Sequence, residues 1–306
     1  MKTKRSSYAW VTVCLAALLI VSMFVAGCTS NGTTSTSGKT ATTASSTSSA
    51  QKQTITVTGS TTVLPVAQAA ADAYMKLHPE ANIQISGGGS GAGIQAIGAK
   101  TVDIGMSSRD VTKDELATYP GFNIIAVAHD GIAIIVNPAN TVQDISLGQV
   151  KQMYTGNITS WTTITGANVA GTNNQIVLIG RDSSSGTRAY FDESVLSKAT
   201  PAKTMLEQNS NGAVAQSVAQ TPGAIGYVSI GFLSSDVKAL PIVMQNGNMA
   251  VPGVGTVRDK TYPISRDLYM ITNGEPTGLT RDYLDFILSA DGQKIVADQG
   301  YVPVTD

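Results

Sequence analysis

Residues 181–188, Arg-Asp-Ser-Ser-Ser-Gly-Thr-Arg, gather the side chains most able to hold a small anion. They follow an apolar run, 175–180, that reads as a buried strand, and precede 189–196, which reads as a helix. A strand that turns through small hydroxylic residues and glycine into a helix aims unpaired backbone N–H groups and the positive end of the helix dipole at one point. Ser185, Gly186 and Thr187 fall at that helix start, and Arg181 can add a planar, permanently charged fork. Together they form a cradle for a tetrahedral oxyanion. On this stretch alone, a Ser/Gly-rich turn with a surface arginine is an equal reading.

The elements around it repeat the arrangement. Residues 54–58 alternate as a strand, 59–62 (Gly-Ser-Thr-Thr) turn, and Leu64, Ala67, Ala70, Ala71, Tyr74 and Leu77 recur at helical spacing. Pro65 suits the first turn of that helix, and Pro79 closes it. A strand over 82–86 leads into a glycine-rich turn, 87–93, around Ser90. A short strand over 102–106 runs into Ser107, Ser108 and Arg109, and Thr112 with Glu115 forms a capping box for the next helix. Apolar runs at 123–128 and 131–136 are separated by His129, Asp130 and Gly131, a bend or a crossing point. A short helix over 146–154, a helix over 213–219, a strand over 224–228, a return strand over 262–271 and one amphipathic helix over 279–299 complete the order. Strands alternating with helices predict an α/β fold with largely parallel sheets. In such sheets ligands bind beyond the carboxyl ends of the strands, where these turns would cluster.

Residues 1–28 read as a signal peptide: Lys2, Lys4 and Arg5, an uncharged apolar run over 11–27, and small residues directly before Cys28. The pattern resembles a lipoprotein box, with Cys28 as the lipid-carrying residue; an uncleaved anchor is the alternative. Of the 22 residues over 29–50, 15 are Ser or Thr and none is large and apolar. Such a tract cannot bury enough surface to offset its chain entropy, so residues 29–53 are expected to be a disordered tether. About 250 residues remain, enough for two linked α/β lobes or one large domain.

Both cysteines, Cys14 and Cys28, fall in the leader, which excludes a disulfide framework and a thiolate metal site in the folded part. Without Lys2, Lys4 and Arg5 the formal charge of −1 becomes −4. No basic stripe exists to displace counterions, so nucleic acid is excluded as a partner, and anion binding must come from local dipoles and placed cations. A loose dinucleotide fingerprint over 91–96 lacks a second nucleotide-binding half, and the P-loop-like spacing from Gly93 to Thr101 is wrong. The two histidines, His78 and His129, lie in no nucleophile motif, no G-x-S-x-G elbow occurs, and no His/Asp/Glu cluster offers metal-assisted hydrolysis. An enzyme and a resident cofactor are therefore not expected. Asn31 and Asn157 begin weak glycosylation signals.

Taken in order, 58–62, 87–91, 102–109 and 181–188 resemble the phosphate-binding proteins of ABC-type phosphate uptake, as do Ile225-Gly226-Tyr227, Tyr262-Pro263-Ile264 and the C-terminal helix. The resemblance spans 54–306. It implies a two-lobed periplasmic-binding-protein fold of type II topology, one lobe of 54–129 with 263–306 and the other of 130–262. Hinge crossings would fall near His129-Asp130 and Tyr262-Pro263. Carried over by position, Thr61, Thr62, Ser90, Ser108, Arg181, Ser185, Gly186 and Thr187 would contact phosphate. The implied protein is a lipid-anchored monomer on the outer face of the cytoplasmic membrane that serves the transmembrane subunits of an ABC permease. One departure stands out: well-known members of the family place carboxylates where Ser108 and Ser183 occur here. Phosphate near neutral pH carries a proton that needs an acceptor, and sulfate does not. Asp182 is the candidate acceptor and Asp110 a more distant one. Arg109 either adds charge to the site or is a surface arginine. Sulfate, molybdate or tungstate is the alternative ligand.

Overall fold

A computed structural model of the chain describes residues 52–305. The signal segment, Cys28 and the Ser/Thr tract to Gln51 lie outside the described residues, as does Asn31. Ser49–Asp306 forms one compact unit, and its apolar clusters draw all their residues from between Ile55 and Val302.

The chain opens with β1 (Gln53–Gly59), α1 (Leu64–Leu77), β2 (Ala81–Gly87), α2 (Ser90–Gly98), β3 (Ile104–Ser107) and α3 (Lys113–Thr118). The long β4 (Phe122–Val136) then leads to β5 (Ile145–Ser146), α4 (Leu147–Tyr154), β6 (Val177–Arg181), α5 (Gly186–Ser194), β7 (Leu206–Gln208), α6 (Asn211–Gln220) and β8 (Ala224–Ser229). Short strands β9 (Lys238–Ala239), β10 (Ile242–Val243) and β11 (Met249–Ala250) precede α7 (Val254–Arg258). The return strand β12 (Ser265–Asn273) and the helices α8 (Gly278–Leu288) and α9 (Ala290–Asp298) end the fold.

Nine strands form one sheet in the order β2-β1-β3-β12-β4-β8-β6-β7, with β9 also on β4. Pairing is parallel at both ends, β2-β1-β3 and β8-β6-β7, as the alternation of strands and helices predicts. The centre differs: β12 runs antiparallel to β3 and β4, and β4 antiparallel to β8. Its cause is the route of the chain, which leaves the first half along β4 and comes back along β12. Of the bend and the crossing point expected at His129, Asp130 and Gly131, the bend is not seen, since β4 runs through them without a break.

Two principal apolar clusters pack against this sheet. One runs from Ile55 to Ala128 and resumes at Leu268, and the other from Ile132 to Ile264 with Val302. Between them β4 and β12 each present a polar triplet, in register: Gly131 opposite Ser265, Asp130 opposite Arg266, His129 opposite Asp267.

Local signals account for most element ends. Thr112 and Ser146 each make a capping box, with Glu115 and Gln149. The single C-terminal helix expected over 279–299 is two helices. Ser289, in extended backbone, ends α8 and accepts from the Gly292 N–H to start α9.

The start of α2 is brought to the strand ends by glycines. A Cβ on Gly93 would meet the Met106 carbonyl oxygen at 2.7 Å and Gly59 Cα at 2.8 Å, so only glycine lets α2 sit this close to β1 and β3. Gly93→Ala is therefore expected to destabilise residues 49–306 by about 1–3 kcal/mol in urea unfolding. A loss below about 0.5 kcal/mol would show that the helix can move away freely.

Candidate functional site

Four turns and three helix starts meet at the carboxyl ends of the strands. Arg181, the last residue of β6, is 1% exposed. Its backbone is pinned from two sides: its N–H donates to Tyr227 Oη (3.2 Å), and Arg188 Nη1 donates to its carbonyl (2.8 Å). Its guanidinium donates through Nε to the Gln208 carbonyl (3.1 Å), and through Nη2 to the Asn209 carbonyl (3.2 Å) and Thr61 Oγ1 (3.2 Å). Burial lowers its pKa, Asp182 and Tyr227 oppose that shift, and the charge of Arg266 adds to it. The fork nevertheless stays charged, because an arginine's ordinary value is so high.

Gly186 and Thr187 are the first residues of α5, whose opening N–H groups have no partner within the helix. Ser185 caps the helix by accepting from the Arg188 N–H (3.2 Å). Thr187 Oγ1 lies 3.1 Å from Thr62 Oγ1. Ser90 opens α2, and its hydroxyl accepts from the Ser108 N–H (3.0 Å) and stands 3.3 Å from Ser108 Oγ. A Cβ on Gly186 would run into Ser90 and come within 2.9 Å of Ser108 Oγ. Thr61, Thr62, Ser90, Ser108, Arg181, Ser185, Gly186 and Thr187 are thus brought together, all buried. The Thr62 N–H, by contrast, is directed to Ser60 Oγ (3.2 Å).

The two sides are in direct contact. Ser184 donates its hydroxyl to the Gly88 carbonyl (2.9 Å), and its own carbonyl accepts from the Gly91 N–H (2.9 Å). Gly89 has φ +93°, and a Cβ there would collide with Ser184, so both the left-handed backbone and the close approach require glycine.

Three candidates stand apart. Asp182 is half-buried, and among the described residues only its Oδ1 has partners, the Ser184 N–H (2.8 Å) and the Ser184 hydroxyl, whose single proton it shares with the Gly88 carbonyl. Ser183 is exposed. Asp110 accepts from Tyr269 Oη (2.7 Å). Arg109 turns from the seat and grips both carboxylate oxygens of Glu115 (2.8 and 2.7 Å), so of its two readings the ion-paired surface arginine is the one observed.

Sequence reasoning missed three residues. Arg266 reaches Thr187 Oγ1 (3.0 Å) and Thr62 Oγ1 (3.4 Å) through Nη2. Asp130 accepts from Arg266 Nε (3.0 Å) and Nη2 (2.8 Å) and from Ser229 Oγ (2.7 Å). Asn211, first in α6, donates to Thr62 Oγ1 (2.9 Å). A signal was present for two of them. Arg266 falls in phase with Leu268 and Met270 on a period-two strand, and Asp130 interrupts an apolar run. A charge at a core position of this kind is uncommon unless it is paired. For Asn211 the helix start itself was placed two residues late.

A donor-rich, buried seat between two separately cored halves defines a two-lobed solute-binding protein. Residues 41–291 match the sequence profile of the PBP superfamily domain. A phosphate-binding protein, PstS, of Bacillus subtilis (strain 168) is 36% identical over 296 residues, 95% of this chain and 94% of its own. PstS of Pseudomonas aeruginosa is 30% identical, over 80% of this chain and 81% of its own. Among solved structures, one assigned as a phosphate ABC transporter substrate-binding protein of Clostridium perfringens, with bound phosphate, superposes with a TM-score of 0.75. It is 32% identical over 83% of this chain and all of that one. An ABC-type phosphate transport receptor of Vibrio cholerae gives 0.66 at 31% identity, over 81% and 99%. This chain belongs to the PBP superfamily and, within it, to the family of PstS phosphate-binding proteins.

The Arg109–Glu115 pair yields a pH prediction. The hydrogen bond from Arg109 holds the Glu115 carboxyl below its ordinary value, against burial and with help from Thr112. The folded state thus binds fewer protons, so the stabilisation is present above the ordinary glutamate pKa and lost as pH falls through the lowered one. Glu115→Gln is expected to cost about 1 kcal/mol at pH 7 for a half-buried pair at the surface. That difference should shrink toward zero below about pH 4, measured by urea unfolding at both pH values. A difference independent of pH would show that the pair contributes nothing.

Proposed function

We propose that this protein is an extracytoplasmic, lipid-anchored receptor that captures inorganic phosphate and delivers it to an ABC-type permease. The observation that carries the ligand class is Arg181, a guanidinium almost wholly removed from water, held by the Gln208 and Asn209 carbonyls and the Thr61 hydroxyl beside the hydroxylic turns and helix starts. Burying a charge without an opposite partner is unfavourable by several kcal/mol, so the seat is built for a charge that arrives. The names of the relatives support phosphate as that charge. Binding and release account for the arrangement, and the seat needs no nucleophile or resident cofactor.

The lobes we assign are residues 54–129 with 263–306, and residues 130–262, joined by β4 and β12. The division of the two main apolar clusters supports this. Phosphate would enter between the lobes and be enclosed as Thr61, Thr62, Ser90 and Ser108 meet Ser185, Gly186 and Thr187. Asp182 is our acceptor for the ligand's proton, through the oxygen that Ser184 leaves open. The expected location is supported by the leader pattern and by the family; among the described residues no helix is long and apolar enough to cross a membrane. Anchoring through Cys28 and a monomeric state belong to the same reading.

Calorimetric titration of residues 49–306 at neutral pH should give one-to-one phosphate binding and no detectable sulfate binding. Preference for sulfate or a metal oxyanion would keep the fold and replace the ligand. Arg181→Ala should weaken phosphate binding at least tenfold, about 1.4 kcal/mol. An unchanged affinity in that variant would remove the central contact from the proposal. Asp182→Asn should reduce phosphate affinity; an unchanged affinity would remove Asp182 as the acceptor of the ligand's proton.

A further inference from the structure

Arg181, Asp130 and Arg266 are the only buried charged residues among those described, and all three meet at one place. Asp130 and Arg266 are register partners on β4 and β12, at the polar triplets between the two main apolar clusters. Asp130 Oδ2 takes both Nε and Nη2 of Arg266, while Oδ1 takes the Ser229 hydroxyl. The carboxylate therefore holds one edge of the guanidinium and orients the rest. Tyr190, on α5, sets its ring 5.9 Å from Arg266 Cζ and donates its hydroxyl to the Ser265 carbonyl, which steadies the same residue from the other side.

We propose that Arg266, oriented by Asp130, is a second guanidinium of the anion seat and binds the ligand at the crossing between the lobes. Two observations go beyond a hinge ion pair. Arg266 Nη2 reaches the hydroxyls of Thr187 and Thr62, one from each side of the seat, so the group already touches residues placed around the ligand. Its Nη1, meanwhile, is buried and has no hydrogen-bond partner among the described residues. A charged N–H donor left unpaired in the interior is costly and rare. An anion oxygen is the partner that would satisfy it. The charge balance points the same way: two buried guanidiniums face one buried carboxylate, and only the half-buried Asp182 offsets the second. Burial lowers the Arg181 pKa and the charge of Arg266 adds to that, against Asp182 and Tyr227. An arriving anion relieves the repulsion between the two forks and fills the open donor position together. Because Arg266 sits on the strand that links the lobes, closure and ligand contact share one residue.

The inference rests on the phosphate reading, and the test separates the two. Titrate residues 49–306 with inorganic phosphate in the unaltered form, as Arg266→Lys, and as the double variant Asp130→Asn with Arg266→Gln. The lysine keeps the charge but loses the fork, and the double variant removes both charges at similar volume. Loss of a hydrogen bond to a charged group corresponds to roughly ten- to a hundredfold in affinity. We expect a loss of that size in both variants. A purely structural pair would lower the unfolding midpoint of the ligand-free protein and leave phosphate affinity within twofold of the unaltered form, which would overturn the proposal. If the double variant does not fold, Arg266→Lys decides by the same criterion. Failure of the unaltered protein to bind phosphate would instead defeat the receptor reading before any variant is made.

Discussion

A positive charge left over in the protein interior is the constraint around which this fold is arranged. Arg181 and Arg266 are both buried, and Asp130 neutralises only one of them. Water cannot solvate the remainder, so the structure surrounds it with dipoles. Carbonyls of Gln208 and Asn209 hold Arg181, and hydroxyls of Thr61, Thr62 and Thr187 take donors from both guanidiniums. Residues 29–306 carry a formal net charge of −4, so their overall field would repel an anion. Local placement has to overcome that field, which is why the cations are few, buried and rigidly held.

Rigidity comes from the elements behind them. Tyr227 pins the Arg181 backbone, and its ring stacks on Phe191 with centroids 4.0 Å apart, which ties β8 to α5. Tyr301 donates to the Thr62 carbonyl (2.8 Å) and stands 3.2 Å from the Ser229 hydroxyl, so the C-terminal segment braces a turn near the start of the fold. Asn211 joins α6 to the same turn, and its Oδ1 accepts from the Ser229 N–H (3.3 Å). The Arg181 backbone and the Thr62 turn are therefore positioned by packing some distance away. The glycines at 89, 93 and 186 serve the opposite end, the close approach of backbones that larger residues would hold apart.

Chain topology explains why the seat lies where it does. The antiparallel pair β4 and β12 spans both main apolar clusters, and its polar triplets coincide with the gap between them. A polar belt at that level leaves the two clusters without a shared apolar layer there. Ser184 bridges the two sides of the seat through Gly88 and Gly91.

Much of this was legible in the residues. Strand–turn–helix order, the hydroxylic turns at 59–62, 87–93, 107–109 and 181–187, and the capping box at Thr112 follow from local periodicity and turn chemistry, which depend on neighbours in sequence. The resemblance carried by those turns placed eight residues that the fold does bring together. Arg266, Asp130 and Asn211 escaped, because their roles depend on partners 136, 204 and 149 residues away. Nor did the sequence distinguish an Arg109 in the seat from one gripped by Glu115, or foresee antiparallel pairing at the centre of the sheet. Local chemistry determined which turns could face an anion. Only the tertiary structure decided which charges are buried together, since desolvation and pairing belong to the packed interior and not to any stretch of chain.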